Sequence, residues 1–160
     1  MRDKTSIRGR VRWTVRDAQG RIKTKGVNHN IVTNSGDALI ADLMSDSPAR
    51  VKVDNTNGQI GVGTGFVSEG KDGTLVAQTG SYQGMEAGYP QTKGAWGAAD
   101  DNVVQYRSIF AAGSLDAAGI DEAELTNSTD VMAYAEISPS VTVGTSDTLQ
   151  IDWEITILGA

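Results

Sequence analysis

The chain reads as an all-β protein, a β-sandwich of jelly-roll-like topology with one short α-helix near residues 35–45. Three observations predict this. Apolar and polar residues alternate with a period of two in several separate runs. Glycine is abundant and proline scarce, 19 residues against 3, so the chain turns often without the composition of a disordered segment. One stretch alone departs from period two for a helical spacing. At 160 residues, a single sandwich domain over 1–160 is expected by length, opening with a basic hairpin or arm at about 1–26.

The first strand is the clearest of the N-terminal half. Ile7, Gly9, Val11, Trp13 and Val15 alternate with Arg8, Arg10, Arg12, Thr14 and Arg16. Asp17-Ala18-Gln19-Gly20 is a turn that leads into a second strand around Arg21–Lys25, making a hairpin. Its outer face is a row of guanidinium groups, a device that keeps an edge strand from pairing indiscriminately. Residues 1–26 hold nine basic side chains against Asp3 and Asp17, in a chain whose net charge is −6. Nucleic-acid binding is disfavoured, because Trp13 is the only aromatic of the patch and the acidic remainder opposes phosphate. A basic edge that docks on an acidic surface, of a second copy or another protein, fits this asymmetry better.

Asn34 or Ser35 is the expected cap of a helix running through Met44, with Asp37 in its first turn and Leu39, Ile40, Leu43 and Met44 on one face. Ser45–Pro48 ends it. Strands resume at Gln59–Thr64, Asn102–Ala111, Val131–Ile137 and Thr148–Leu158. In the last, Leu149, Ile151, Trp153, Ile155 and Ile157 point inward. Between them, Gly80–Ala99 holds Tyr82, Tyr89 and Trp96 with no clear period. A twenty-residue loop in a compact domain is unusual, and its aromatics suggest a contact surface.

The search for chemistry yields no catalytic, cofactor or metal residue. His29 stands alone, with no second histidine to share a metal or relay a proton. Gly61-Val62-Gly63-Thr64-Gly65 lacks the Gly-Lys-[Ser/Thr] ending of a phosphate loop, and alternating glycines on a strand instead admit a close neighbour. Asp54–Gly58 has the beginnings of a calcium loop, but its twelfth position is Gly65 and a tight turn is the better reading. Asp121, Glu122 and Glu124 form the densest acidic cluster, without a histidine to complete a metal site. Cysteine is absent, excluding disulfides and thiolate chemistry; no apolar leader opens the chain, and no run approaches the ~20 residues of a membrane span.

Asn30-Ile31-Val32-Thr33-Asn34-Ser35-Gly36-Asp37-Ala38-Leu39-Ile40-Ala41-Asp42-Leu43 resembles the N-x-V-T-N-x-G-x-x-L-I-x-x-L opening of small tailed-bacteriophage virion proteins. Ile60–Gly65, Gly119–Ala123, Tyr134-Ala135 and Asp147–Thr156, the last similar to the group's D-T-L-x-I-x-W-x-I-T strand, follow in the expected order. The resemblance runs from about residue 28 onward. Thr74-Leu75-Val76-Ala77-Gln78 departs from it, lacking the acid of T-x-L-x-x-E. The resemblance implies a non-enzymatic virion part made in the host cytoplasm. Its leading form is a capsid decoration (cement) protein on the exterior, homo-oligomeric and bound to the major capsid protein or to copies of itself, with neither nucleic acid nor membrane as partner. The alternative is a tail, baseplate or fibre-associated protein, with a glycan as a conceivable ligand. A glycan-active enzyme on a jelly roll is the third reading, supported only by Trp96, Tyr82 and Tyr89. The expected partner-binding residues are Arg8, Arg10, Arg12, Arg16, Tyr82, Tyr89 and Trp96.

Overall fold

The structure, a computed structural model, describes residues 6–158, so Arg2 and Lys4 of the basic stretch lie outside the described residues. Within that range the chain forms nine strands and one helix: β1 (Ser6–Arg16), β2 (Ile22–Val32), α1 (Asn34–Leu43), β3 (Gln59–Gly63), β4 (Gln78–Gly84), β5 (Gln91–Thr92), β6 (Val103–Phe110), β7 (Ala117–Thr126), β8 (Val131–Val143) and β9 (Thr148–Leu158). The all-β expectation with one helix holds. The strands form one antiparallel sheet in the order β4-β3-β7-β8-β2-β1-β9-β6-β5. That sheet curls into two facing layers.

β2 makes the fold. Along Ile22–Asn30 it pairs with β1, in a layer with β9, β6 and β5. At Ile31 and Val32 it pairs with Tyr134 and Ala133 of β8, in a layer with β7, β3 and β4. The far ends of the sheet also meet, where Glu86 N–H donates to the Arg107 carbonyl (2.8 Å) and Ser108 Oγ to that of Gly84 (2.8 Å). Between the layers lies one core. Val11, Trp13, Val15, Phe110, Leu149, Ile151, Trp153 and Ile155 from one side pack with Ile60, Val62, Ile120, Leu125, Ile137 and Val141 from the other. The period-two phases read from β1 and β9 are therefore correct, except at Ile157, which is exposed where β9 runs out of the core.

The helix begins one residue earlier than the capping signal suggests. Thr33, not Asn34 or Ser35, is the N-cap: its Oγ1 accepts from Gly36 N–H at 2.9 Å and donates to the Val131 carbonyl. Gly36 is needed because a Cβ there would overlap the Met132 carbonyl of β8. Leu39 is buried, and Ile40 and Leu43 pack against the core. Met44 does not join that face; it is the C-cap and lies 82% exposed. The Asn30–Leu43 motif is thus a strand end, a cap and a close helix–sheet contact in sequence.

Two further differences concern the middle of the chain. The Gly80–Ala99 stretch is not one long loop: β4 reaches Gly84 and β5 takes Gln91–Thr92, so the connections are short. β7 contains the Asp121, Glu122 and Glu124 cluster, whose charges mask a strand buried on both faces from Glu122 to Thr126.

Candidate docking surface

The outer face of the β1-layer is a charge network organised by β9. Glu154 sits opposite Arg10 on β1 and Gln105 on β6. Its carboxylate accepts from Arg10 Nη2 at 2.5 Å and Gln105 Nε2 at 3.1 Å, with Lys93 Nζ at 3.4 Å and Arg12 Nη1 at 3.7 Å. Burial alone would raise its pKa. The hydrogen bonds from Arg10 and Gln105, and the charges of Arg10 and Arg12, outweigh burial and hold it below the ordinary glutamate range. One row along, Asp152 binds Arg107 Nε at 2.5 Å and Gln150 Nε2 at 2.6 Å, and the Arg107 guanidinium lies 4.8 Å over the Tyr89 ring. Lys23 pairs with Asp147 at 2.5 Å.

The expected partner-binding residues divide accordingly. Arg10 and Arg12 stand on the outer face, each still nearly half exposed while sharing Glu154. Arg8 is exposed at the start of the same row, and Arg16 Nη1 donates to the Gly20 carbonyl of the hairpin turn. Tyr89 is half-buried against Arg107. Tyr82 belongs to another place altogether: its hydroxyl donates to Glu124 on the opposite layer at 2.5 Å. Trp96 touches nothing. It is 100% exposed, whereas Trp13 and Trp153 are 1% and 0% exposed.

Trp96 is nonetheless held in a built hairpin between β5 and β6. Lys93 N–H donates to the Val103 carbonyl, Gly94 N–H to that of Asp100, and Ala98 N–H to that of Ala95. Gly97, with φ of +83°, donates its N–H to Asp101 Oδ2 at 2.8 Å. Lys93 ties the base of this tip to Glu154 and to Asp100 (3.8 Å). An exposed indole on a hairpin tied to the arginine-bearing sheet face matches the composition of binding hot spots, which are rich in Trp, Tyr and Arg. Glu154, Lys93 and Arg107 complete the surface. Outward alternation on β9 could have flagged Glu154, but its cross-strand partners needed the register.

The acidic cluster is a set of struts. The segment 64–77, between β3 and β4, lies across the outer face of β7. Glu122, 0% exposed, accepts from the N–H groups of Gly65 (3.2 Å), Val76 (3.0 Å) and Ala77 (2.9 Å) and from Tyr134 Oη (2.6 Å). Glu124 accepts from Leu75 N–H, Thr74 Oγ1 and Tyr82 Oη, and Asp121 from Phe66 N–H. Burial first, then the adjacent carboxylates, push the Tyr82 and Tyr134 phenols up, so both remain protonated donors. The alternating glycines of β3 make room: a Cβ at Gly61 would overlap the Tyr82 ring and one at Gly63 the Glu122 carboxylate. Asp54 closes a tight turn through Thr56 and Asn57 N–H, and His29 is an exposed residue opposite Arg10. Among the described residues no group of three His, Asp or Glu side chains is placed to hold a metal ion, and no helix is long and apolar enough to cross a membrane. The chain matches no family model, no curated protein and no solved structure among those it was compared with.

Proposed function

We propose that this chain is a non-enzymatic structural protein of a tailed-phage particle, a capsid decoration or cement protein that docks on the shell through the outer face of its β1-layer. The observation that carries docking is Trp96, wholly exposed on a braced hairpin whose Lys93 reaches Glu154, the carboxylate that Arg10 and Arg12 share. An apolar anchor on the same layer as a row of guanidinium groups suits a protein partner with an acidic rim. The assignment to a virion rests on the resemblance of residues 28 onward. Its motif residues have consistent structural work: Thr33 caps α1, Gly36 admits the Met132 carbonyl, and Trp153 fills the core.

The carboxylates that an enzyme would need are engaged as struts for the 64–77 segment, which also favours a structural part. A tail or fibre-associated protein is the second reading, because an exposed indole on a turn that also carries Asp100 and Asp101 is a platform on which a sugar ring can stack. Quantitative mass spectrometry of purified particles separates them. Copies in the hundreds mean a shell protein, about three to twelve a tail protein, and absence from the particle overturns both.

A further inference from the structure

The two layers differ in charge as well as position. Segments 6–32, 89–110 and 144–158, which build the β1-layer, carry nine Lys and Arg against six Asp and Glu. Segments 33–88 and 111–143, which build the β8-layer with α1, carry three against thirteen. One side of the molecule is basic and the other strongly acidic. Each therefore complements the opposite side of an identical molecule.

Each side also carries an unfilled apolar feature. The basic layer bears Trp96. On the acidic layer, the 64–77 segment forms an open groove of about 360 Å³ with Val67 and Val76 as its exposed apolar walls, Ser68, Lys71, Asp72 and Thr74 among its polar lining, and the buried Tyr134 ring beneath. Val67 and Val76 are 79% and 64% exposed, although the segment carrying them is pinned at both flanks by Glu122 and Asp121. Lys71 Nζ is anchored to Asp37 (2.6 Å) and the Val32 carbonyl (2.8 Å), which fixes the groove floor against α1. Within one chain the groove does not hold the Trp96 indole, which stands wholly exposed.

We infer that a second copy of this chain is the occupant: Trp96 of one molecule seats between the exposed Val67 and Val76 of another, basic layer toward acidic layer. This deepens the docking reading above by naming one partner of the Trp96 surface, and it does not depend on where in a particle the protein sits. The contact is heterologous, so it propagates into rings or longer assemblies unless one end is blocked.

Two variants test it, both at exposed side chains that leave the core alone. Trp96→Ala removes the knob and keeps the groove; Val67→Glu spoils the groove and keeps the knob. Sedimentation velocity over a concentration series is expected to show the wild type associating, and less strongly at high salt as the layers' attraction is screened. Each variant alone should associate at least about tenfold more weakly. Mixed together they should form one-to-one complexes that grow no further, because one intact knob and one intact groove remain. Trp96 is the only exposed tryptophan, so quenching of fluorescence by acrylamide should fall as the wild type associates. A wild type that stays monomeric, a Trp96→Ala protein that associates like wild type, or a mixture that stays monomeric would each overturn the inference. Particle copy number, measured separately, decides the virion reading whichever way this comes out.

Discussion

Gly26 lies directly opposite Trp13 in the β1–β2 ladder, and the Trp13 indole occupies the space that a side chain at position 26 would need. Trp13 is 1% exposed because β2 offers it bare backbone to lie on. Gly26→Ala is expected to cost about 1–3 kcal/mol, since a packed indole has nowhere to move. Gly84→Ala, which meets open space, should stay within about 0.5 kcal/mol of wild type. Thermal unfolding of the two variants side by side checks the contrast.

Trp153 stands at the centre of the core, opposite Val11 on one side and Tyr106 on the other, with its Nε1–H buried and without a partner. Trp153→Ala should cost about 3–5 kcal/mol through the cavity it leaves. Trp153→Phe loses volume but also removes the orphaned donor, so a cost under about 2 kcal/mol is expected. Urea denaturation should rank wild type, Phe and Ala in that order. An unchanged midpoint for the Ala variant would contradict the burial of β9.

The 64–77 segment should come loose when its carboxylate struts are removed. Glu122→Ala strands the Gly65, Val76 and Ala77 N–H groups and the Tyr134 hydroxyl, a loss on the order of 3 kcal/mol. Tyr134→Phe deletes one of those donors and should cost about 1–2 kcal/mol. Faster tryptic cleavage at Lys71 is expected in both, more so in the Ala variant, read by mass spectrometry of the fragments.

Glu154 gives the outer face a pH dependence with a definite sign. Its folded pKa lies below the ordinary value of 4.5, so the stability it contributes is fully present above that value and is lost as pH falls through the folded one. Glu154→Gln should therefore melt below wild type at neutral pH, with the gap closing in acid. A gap independent of pH would mean that the Arg10 and Arg12 contacts contribute nothing through charge. Reversing Arg10 and Arg12 together is a poor probe of docking for the same reason, because it would set two new carboxylates against Glu154.

The strands whose phase was legible in the sequence are those with one face in water; β3 and the start of β8 were legible only as β-prone runs, being buried on both faces. β1 and β9 alternate apolar with Arg, Asp, Glu and Gln, and their phases hold through Trp13 and Trp153. β7 was illegible because its outer face is buried beneath the 64–77 segment, where Glu122 and Glu124 are satisfied by backbone donors some fifty residues away in the chain. No local pattern distinguishes such a carboxylate from one in solvent. Tyr82 and Trp96 show the same limit: both fall in one aromatic-rich stretch, yet one is turned onto Glu124 and the other into water. Only the register of β4 on β3 and the β5–β6 turn separates them.

The position of β9 governs when this chain can fold. It lies between β1 and β6 and pairs along nearly its whole length with both, from Ser6 opposite Leu158 to Phe110 opposite Leu149. Until residue 158 has been synthesised, the β1–β2 hairpin and β6 each present an unpaired, apolar-faced edge with no neighbour to close it. Completion must then join segments about 140 residues apart in the chain, a long-range closure of the kind that slows folding. A nascent or truncated chain lacking β9 is thus a sticky species rather than a smaller version of the domain. The ribosome delivers the strand that closes both edges after the two strands that need it.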